Sequence, residues 1–256
     1  MTIDSLYIAP GAVARVVPGP PFASAPVIWL NSPAVSLRGS AVVGGGDAVL
    51  AATVGSVEWL WEEAETWRFE TGGGALWSVG LTLPEENTTG SDLVDIWAGT
   101  PITVGSLELL DPHDFLREPT RVRWCDSKGE WLFGLYAAER EHGGELSRLG
   151  LASDTYLLVR DDVLAGWAIS RPARFLASES AGQMRQVADE LLGRLLARFL
   201  SLVTVDGVDR LEAGDRALRA DLAQLEEELA ALSRQHEPRA LAMREKVRQV
   251  LDDYAG

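Results

Sequence analysis

The sequence predicts an α+β protein: a mostly antiparallel β-sheet region over residues 1–176, followed by a C-terminal helical hairpin or three-helix unit over residues 177–256. Two observations carry this. All nine tryptophans lie between Trp29 and Trp167 and eleven of the twelve prolines precede Ser178, so the first part is rich in β-prone aromatics and turn formers. From Ser178 onward the glycines before Gly256 are Gly182, Gly193, Gly207 and Gly214, and the only proline is Pro238, in a background of Ala, Leu, Glu and Arg that favours helix. Packing of the two parts as one domain stays open, because 256 residues suit one large domain or two modest ones.

Taken in chain order, Leu6-Tyr7-Ile8 is a short β-prone run stopped by Pro10-Gly11. Ala12 to Val17 is a second, stopped by Pro18-Gly19-Pro20-Pro21. Asp47 to Glu65 reads two ways. Leu50, Val54, Val57, Leu60 and Ala64 make one face of a helix capped by Asp47, whereas the alternation of Val57, Trp59 and Trp61 fits two strands. The Glu62-Glu63-Ala64-Glu65 end leans to helix.

Three hairpins follow. Thr66 to Phe69 and Ala75 to Leu83 flank Gly72-Gly73-Gly74. Arg121 to Cys125 and Trp131 to Tyr136 flank Asp126-Ser127-Lys128-Gly129, where Gly129 supplies the positive φ of a short loop. Tyr156 to Arg160 and Val163 to Ser170 flank Asp161-Asp162, a weaker turn signal because Asp only tolerates that conformation. No long helical crossover separates these strands, so the pairing is expected to be mostly antiparallel.

In the helical part, Ser178 is the expected N-cap of a helix with Met184, Val187, Leu191, Leu195, Phe199 and Leu202 on one stripe, ended by Asp206-Gly207. The next helix carries Leu211, Leu218, Leu222, Leu225, Leu229 and Leu232 at spacings of 7, 4, 3, 4 and 3, a heptad register with charged residues on the other faces. Pro238 starts a third, with Leu241, Val247, Val250, Leu251 and Tyr254 on its apolar side. The leucine stripe has two readings. The short connection at Asp206 to Val208 favours packing within the chain; alternatively Leu218, Leu222, Leu225, Leu229 and Leu232 form a face for a protein partner or a second copy.

Composition excludes several classes. No stretch approaches ~18 uncharged apolar residues, and Met1 to Pro10 holds Asp4 and no basic segment, so neither a membrane span nor secretion is expected. A single cysteine, Cys125, makes no internal disulfide and suits a reducing, cytoplasmic setting. The formal charge is −15, with 23 acidic against 12 basic residues through Ser178 and 15 against 11 beyond it. That balance repels nucleic acid; solubility alone is the preferred explanation, and attraction of a basic protein surface is the alternative.

The motifs point to no specific chemistry. Only Lys128, in a turn, and Lys246, on the last helix, are lysines, and there is no phosphate-binding lysine loop. The Gly44-Gly45-Gly46 and Gly72-Gly73-Gly74 runs read as turns. Asp111-Pro112-His113-Asp114 brings three potential metal ligands together, but an acidic proline turn is the preferred reading. His142-Gly143-Gly144 matches an esterase oxyanion element without the nucleophile elbow that element serves. A thiolate dyad of Cys125 with His142 or His113 is weighed below a small core residue. Asn87-Thr88-Thr89 fits a glycosylation triplet without a secretory context. Trp59 and Trp61 would make a stacking platform if exposed on a strand, with burial the preferred reading.

The sequence therefore assigns no catalytic residue, no cofactor and no metal. The expected function is a non-enzymatic interaction protein of adaptor, chaperone-like or immunity/inhibitor type. It would bind a protein partner, a basic one included, with a homo-oligomer through the helical region as an option. Two alternatives stay open: a hydrolase using Asp, Glu or His113 in an acidic β-lined cleft, and a small-ligand or carbohydrate-binding module.

Overall fold

Pro10-Gly11 stops the first strand as expected, turning β1 (Ser5–Ala9) into β2 (Ala12–Val17) with Gly11 at φ +80°. The computed structural model describes residues 4–19, 22–38, 46–57, 64–89, 93–137, 144–177, 189–233 and 238–254. The short strands β3 (Val27–Trp29) and β4 (Ala34–Arg38) pair antiparallel. The segment that reads two ways uses both. It begins as helix α1 (Gly46–Ala52), then turns extended at the β-branched pair Thr53-Val54 to give β5 (Thr53–Ser56). The Thr53 hydroxyl donates back to the Val49 carbonyl at 2.7 Å and closes the last helical turn. Residues 58–63, with Trp59, Trp61 and most of the acidic end, lie outside the described residues; Ala64 and Glu65 are neither helix nor strand.

The three expected hairpins form. β6 (Thr66–Glu70) and β7 (Leu76–Thr82) flank the triple-glycine turn. After β8 (Glu86–Asn87), α2 (Leu93–Ala98), β9 (Ile102–Val104) and β10 (Ser106–Leu109) comes the pair β11 (Val122–Cys125) and β12 (Trp131–Leu135), with Gly129 at φ +70°. β13 (Leu146–Ala152) leads to β14 (Thr155–Arg160) and β15 (Val163–Ser170), and Asp161 and Asp162 do take positive φ, +49° and +61°. A 3-10 turn, Pro172–Phe175, leads to β16 (Leu176–Ala177).

These strands form two mixed sheets. The larger, of ten strands, follows β10-β2-β1-β15-β12-β11-β8, and β15 also carries β14, β13 and β9 on its other edge. The smaller follows β16-β3-β4-β7-β6-β5. Four pairings among the described strands are parallel: β1 with β15, β8 with β11, β9 with β13 and β3 with β16. Each joins strands far apart in the chain, which no hairpin connects. One hydrophobic core runs through both sheets into the helices, from Leu6, Trp67, Phe69 and Trp167 to Leu196, Leu222 and Met243. On the other side of the large sheet, Trp97 of α2 covers Phe133, Leu158 and Ala168.

The helical part has four helices where the sequence resolves three: α3 (Glu190–Leu202), α4 (Val205–Glu212), α5 (Arg216–Ser233) and α6 (Pro238–Asp253). Ser178, Met184 and Val187 lie outside the described residues. The cap of α3 is Asp189, whose carboxylate accepts from Leu192 N at 3.0 Å. The buried stripe keeps Leu195 and Phe199 of the expected one and adds Leu192, Leu196 and Leu200, whereas Leu191 is 42% exposed. The first helix ends before Asp206-Gly207, because the Thr204 hydroxyl caps a new helix by accepting from Gly207 N at 2.9 Å. Gly214, at φ +79°, follows α4 and separates Leu211 from the heptad run of α5. Pro238 opens α6 as expected, but Leu241 points outward and Ala240, Met243, Val247 and Val250 take the buried face.

Candidate functional site

Part of the outward face of the small sheet is made of small residues. Ala34 stands opposite Thr82, Ser36 opposite Gly80, and Gly80 opposite Thr66, while Val35, Leu37, Val79 and Leu81 turn into the core. This alternation leaves a low floor across β4, β7 and β6. Walls rise around it from Ser32-Pro33, from Pro84-Glu85-Glu86, from Glu118 to Arg121, and from Val205 at the start of α4. The groove they enclose has a volume of about 990 Å³, at the upper end of the usual range for ligand sites.

Its charge is unbalanced. Three carboxylates, Glu85, Glu86 and Glu118, face one guanidinium, Arg121, and no histidine or cysteine is among the described lining residues. Arg121 Nη2 lies 2.9 Å from Glu118 Oε2, with both side chains about two-thirds exposed (67% and 70%), a geometry that contributes little stability. The arrangement can attract cationic groups by its negative charge.

The floor and one wall are tied from beneath by Glu65, which is 1% exposed. Glu65 Oε1 accepts from the backbone amides of Thr82 at 3.1 Å and Thr120 at 3.2 Å, one residue from the floor and one from the wall. Its Oε2 accepts from Trp67 Nε1 at 3.3 Å and, in a short bond, from the Tyr136 hydroxyl. The Thr120 hydroxyl donates to Thr82 O at 2.7 Å and so doubles the tie. Burial pushes the Glu65 carboxyl above its ordinary range, against the lowering pull of these hydrogen bonds, and holds the Tyr136 hydroxyl well above its own. A shifted carboxylate often marks catalysis, but both oxygens here are taken up by structural donors and Glu65 does not line the groove.

A second tie joins the groove wall to the helices. Arg123, 3% exposed, donates from Nε to Asn87 Oδ1 at 2.9 Å and from Nη2 to Leu200 O at 2.7 Å and to Val203 O. Asn87 Nδ2 donates to the same Leu200 carbonyl at 2.9 Å. These bonds satisfy the open C-terminal carbonyls of α3, where a cation also suits the helix dipole. Burial lowers the guanidinium to about 10, still far above neutral pH, so the clamp stays charged. The amide nitrogen of the Asn87 triplet is thus engaged by the Leu200 carbonyl, although Asn87 itself is exposed. Arg68 and Arg148 do similar work, donating to the carbonyls of Thr53 and to those of Ala98 and Thr100.

The other residues singled out by sequence lie apart from the groove. Leu218, Leu222, Leu225 and Leu229 are buried between α5 and its neighbouring helices, and Leu232 is half-buried at the same core. His113 Nδ1 contacts its own turn at Asp111 O, 2.6 Å away, and Asp114 accepts from Gly55 N at 3.0 Å. Among the described residues no group of three or more His, Cys, Asp or Glu is placed to hold a metal ion. Burial, with Asp126 adding to it, pushes the Cys125 thiol up to about 12, which keeps it protonated at neutral pH. His142, Trp59 and Trp61 lie outside the described residues, as do Gly44 and Gly45. Of the described tryptophans, Trp67, Trp97 and Trp167 are buried and the rest half-buried. No described helix is long and apolar enough to cross a membrane.

Sequence reasoning missed the groove itself. Its signal is the strict alternation of small residues with large apolar ones in Ala34-Val35-Ser36-Leu37 and Val79-Gly80-Leu81-Thr82. That pattern says one face is packed and the other is bare. It does not say that the distant residues 84–86 and 118–121 will wall the bare face. No protein-family model, curated protein or solved structure matches this chain.

Proposed function

We propose that the protein is a non-enzymatic binding protein, of adaptor, chaperone-like or inhibitor type, whose groove takes a basic segment of a partner protein. The groove carries this reading: a floor of small side chains, three carboxylates against one arginine, on a chain of net charge −15. Such a field steers cationic partners and raises their association rate. A partner contact on the groove, rather than on Leu218, Leu222, Leu225, Leu229 and Leu232, fits the use of those leucines as core. A single cysteine, which makes no internal disulfide, suits the reducing conditions of the cytoplasm.

The test is fluorescence anisotropy with a labelled octa-arginine peptide at 0.15 M salt. Replacing Glu86→Gln and Glu118→Gln together is expected to weaken binding about five- to tenfold, the scale of two partly exposed ion pairs. The control is Glu227→Gln with Asp252→Asn, two exposed acids on α5 and α6 whose removal changes the net charge equally. Equal weakening by both pairs would assign the binding to the general negative field and remove the groove reading.

A further inference from the structure

Resting on the groove reading, we infer that Arg121 is a resident competitor: a guanidinium that the chain holds at the docking place of the partner's cation, displaced when the partner binds. The three groove carboxylates are in different states. Glu118 is paired with Arg121. Glu85 is exposed and makes no ion pair among the described residues, though its charge reaches the buried Arg123 behind the wall. Glu86 has no ion pair among the described residues and stands exposed on the two-residue edge strand β8. An incoming cation therefore meets the unpaired Glu85 and Glu86 first and exchanges with Arg121 at Glu118.

The exchange needs no movement of the backbone. Arg121 N donates to Leu135 O at 2.9 Å, and the next residue, Val122, is paired with Glu86 in the sheet. Only the side chain, 67% exposed, has to swing away. An exposed ion pair of this kind is weak, so a partner's guanidinium replaces it at almost no cost, while a neutral segment finds Glu118 already satisfied. The device favours arginine-bearing partners and suppresses loose binding of uncharged peptides.

The same octa-arginine peptide tests this. Arg121→Ala and Arg121→Gln are each expected to tighten binding about two- to fivefold, the worth of one exposed ion pair. Arg248→Ala, an exposed change on α6 with the same effect on net charge, serves as control and is expected to tighten it by less than about 1.5-fold. Tightening by the Arg121 variants beyond the control supports the competitor. Equality with the control, or weaker binding, overturns it. In that case the groove reading survives if the Glu86 and Glu118 pair still weakens binding more than its own control, and fails if it does not.

Discussion

A β carbon placed on Gly129 would stand 2.1 Å from the carbonyl oxygen of Gly193, so the tip of the β11–β12 hairpin and the first turns of α3 meet backbone to backbone. Each glycine permits the approach of the other. Gly129 also takes the positive φ that its turn requires, so one residue serves both the hairpin and the docking of the helix. The chain's two compositional halves are joined at this contact and at the Arg123 clamp on the far end of the same helix.

Gly193→Ala separates docking from helix propensity. On propensity alone the change gains about 0.5–1 kcal/mol within a helix. Here the new methyl would lie 2.9 Å from Lys128 O, a backbone atom that has to withdraw. The expected result is a net loss of about 1–2 kcal/mol in urea unfolding. A gain would show that the hairpin tip yields freely and that the contact is incidental.

Leu222→Ala tests the leucine stripe. Leu222 is fully buried in the core that α5 shares with its neighbouring helices. The expected cost is about 2–5 kcal/mol, with an unfolding midpoint that does not change over a hundredfold range of protein concentration. A midpoint that fell on dilution would place this face between molecules instead.

Much of the fold was legible because its signals are local. Gly129, Gly74 and the Asp161-Asp162 pair sit in turns whose geometry depends on a few residues, and Pro238 marks a helix start for the same reason. Helix rotation was less legible. Leu191 and Leu192 are equally apolar, and only the partner surface decides that Leu192 faces inward. The break at Gly214 was masked by Leu211, whose spacing of seven from Leu218 fits a continuous heptad as well as two helices. The site was the least legible. Glu65 reads as the acidic end of a helix, and only the distant partners Thr82, Thr120 and Tyr136 make it the tie beneath the groove. Arg123 likewise gains its role from Leu200, 77 positions away.

Glu65→Gln is expected to cost most at low pH. Burial raises the folded carboxyl above the ordinary 4.5, so below about 4.5 both folded and unfolded chains carry the proton. As pH rises through the window up to the raised folded value, the unfolded chain releases its proton freely and the folded chain resists. The wild type loses stability across that window, whereas glutamine does not titrate. The cost of the substitution, about 1–3 kcal/mol at pH 4 from mismatched buried donors, is therefore expected to shrink by pH 8. Paired urea titrations at the two pH values and equal ionic strength measure it. Tyr136→Phe, which removes a donor that lowers the Glu65 carboxyl, is expected to carry the pH dependence of stability to higher pH. A cost of Glu65→Gln that grew with pH would mean that the hydrogen bonds outweigh burial and hold Glu65 as a carboxylate beneath the groove.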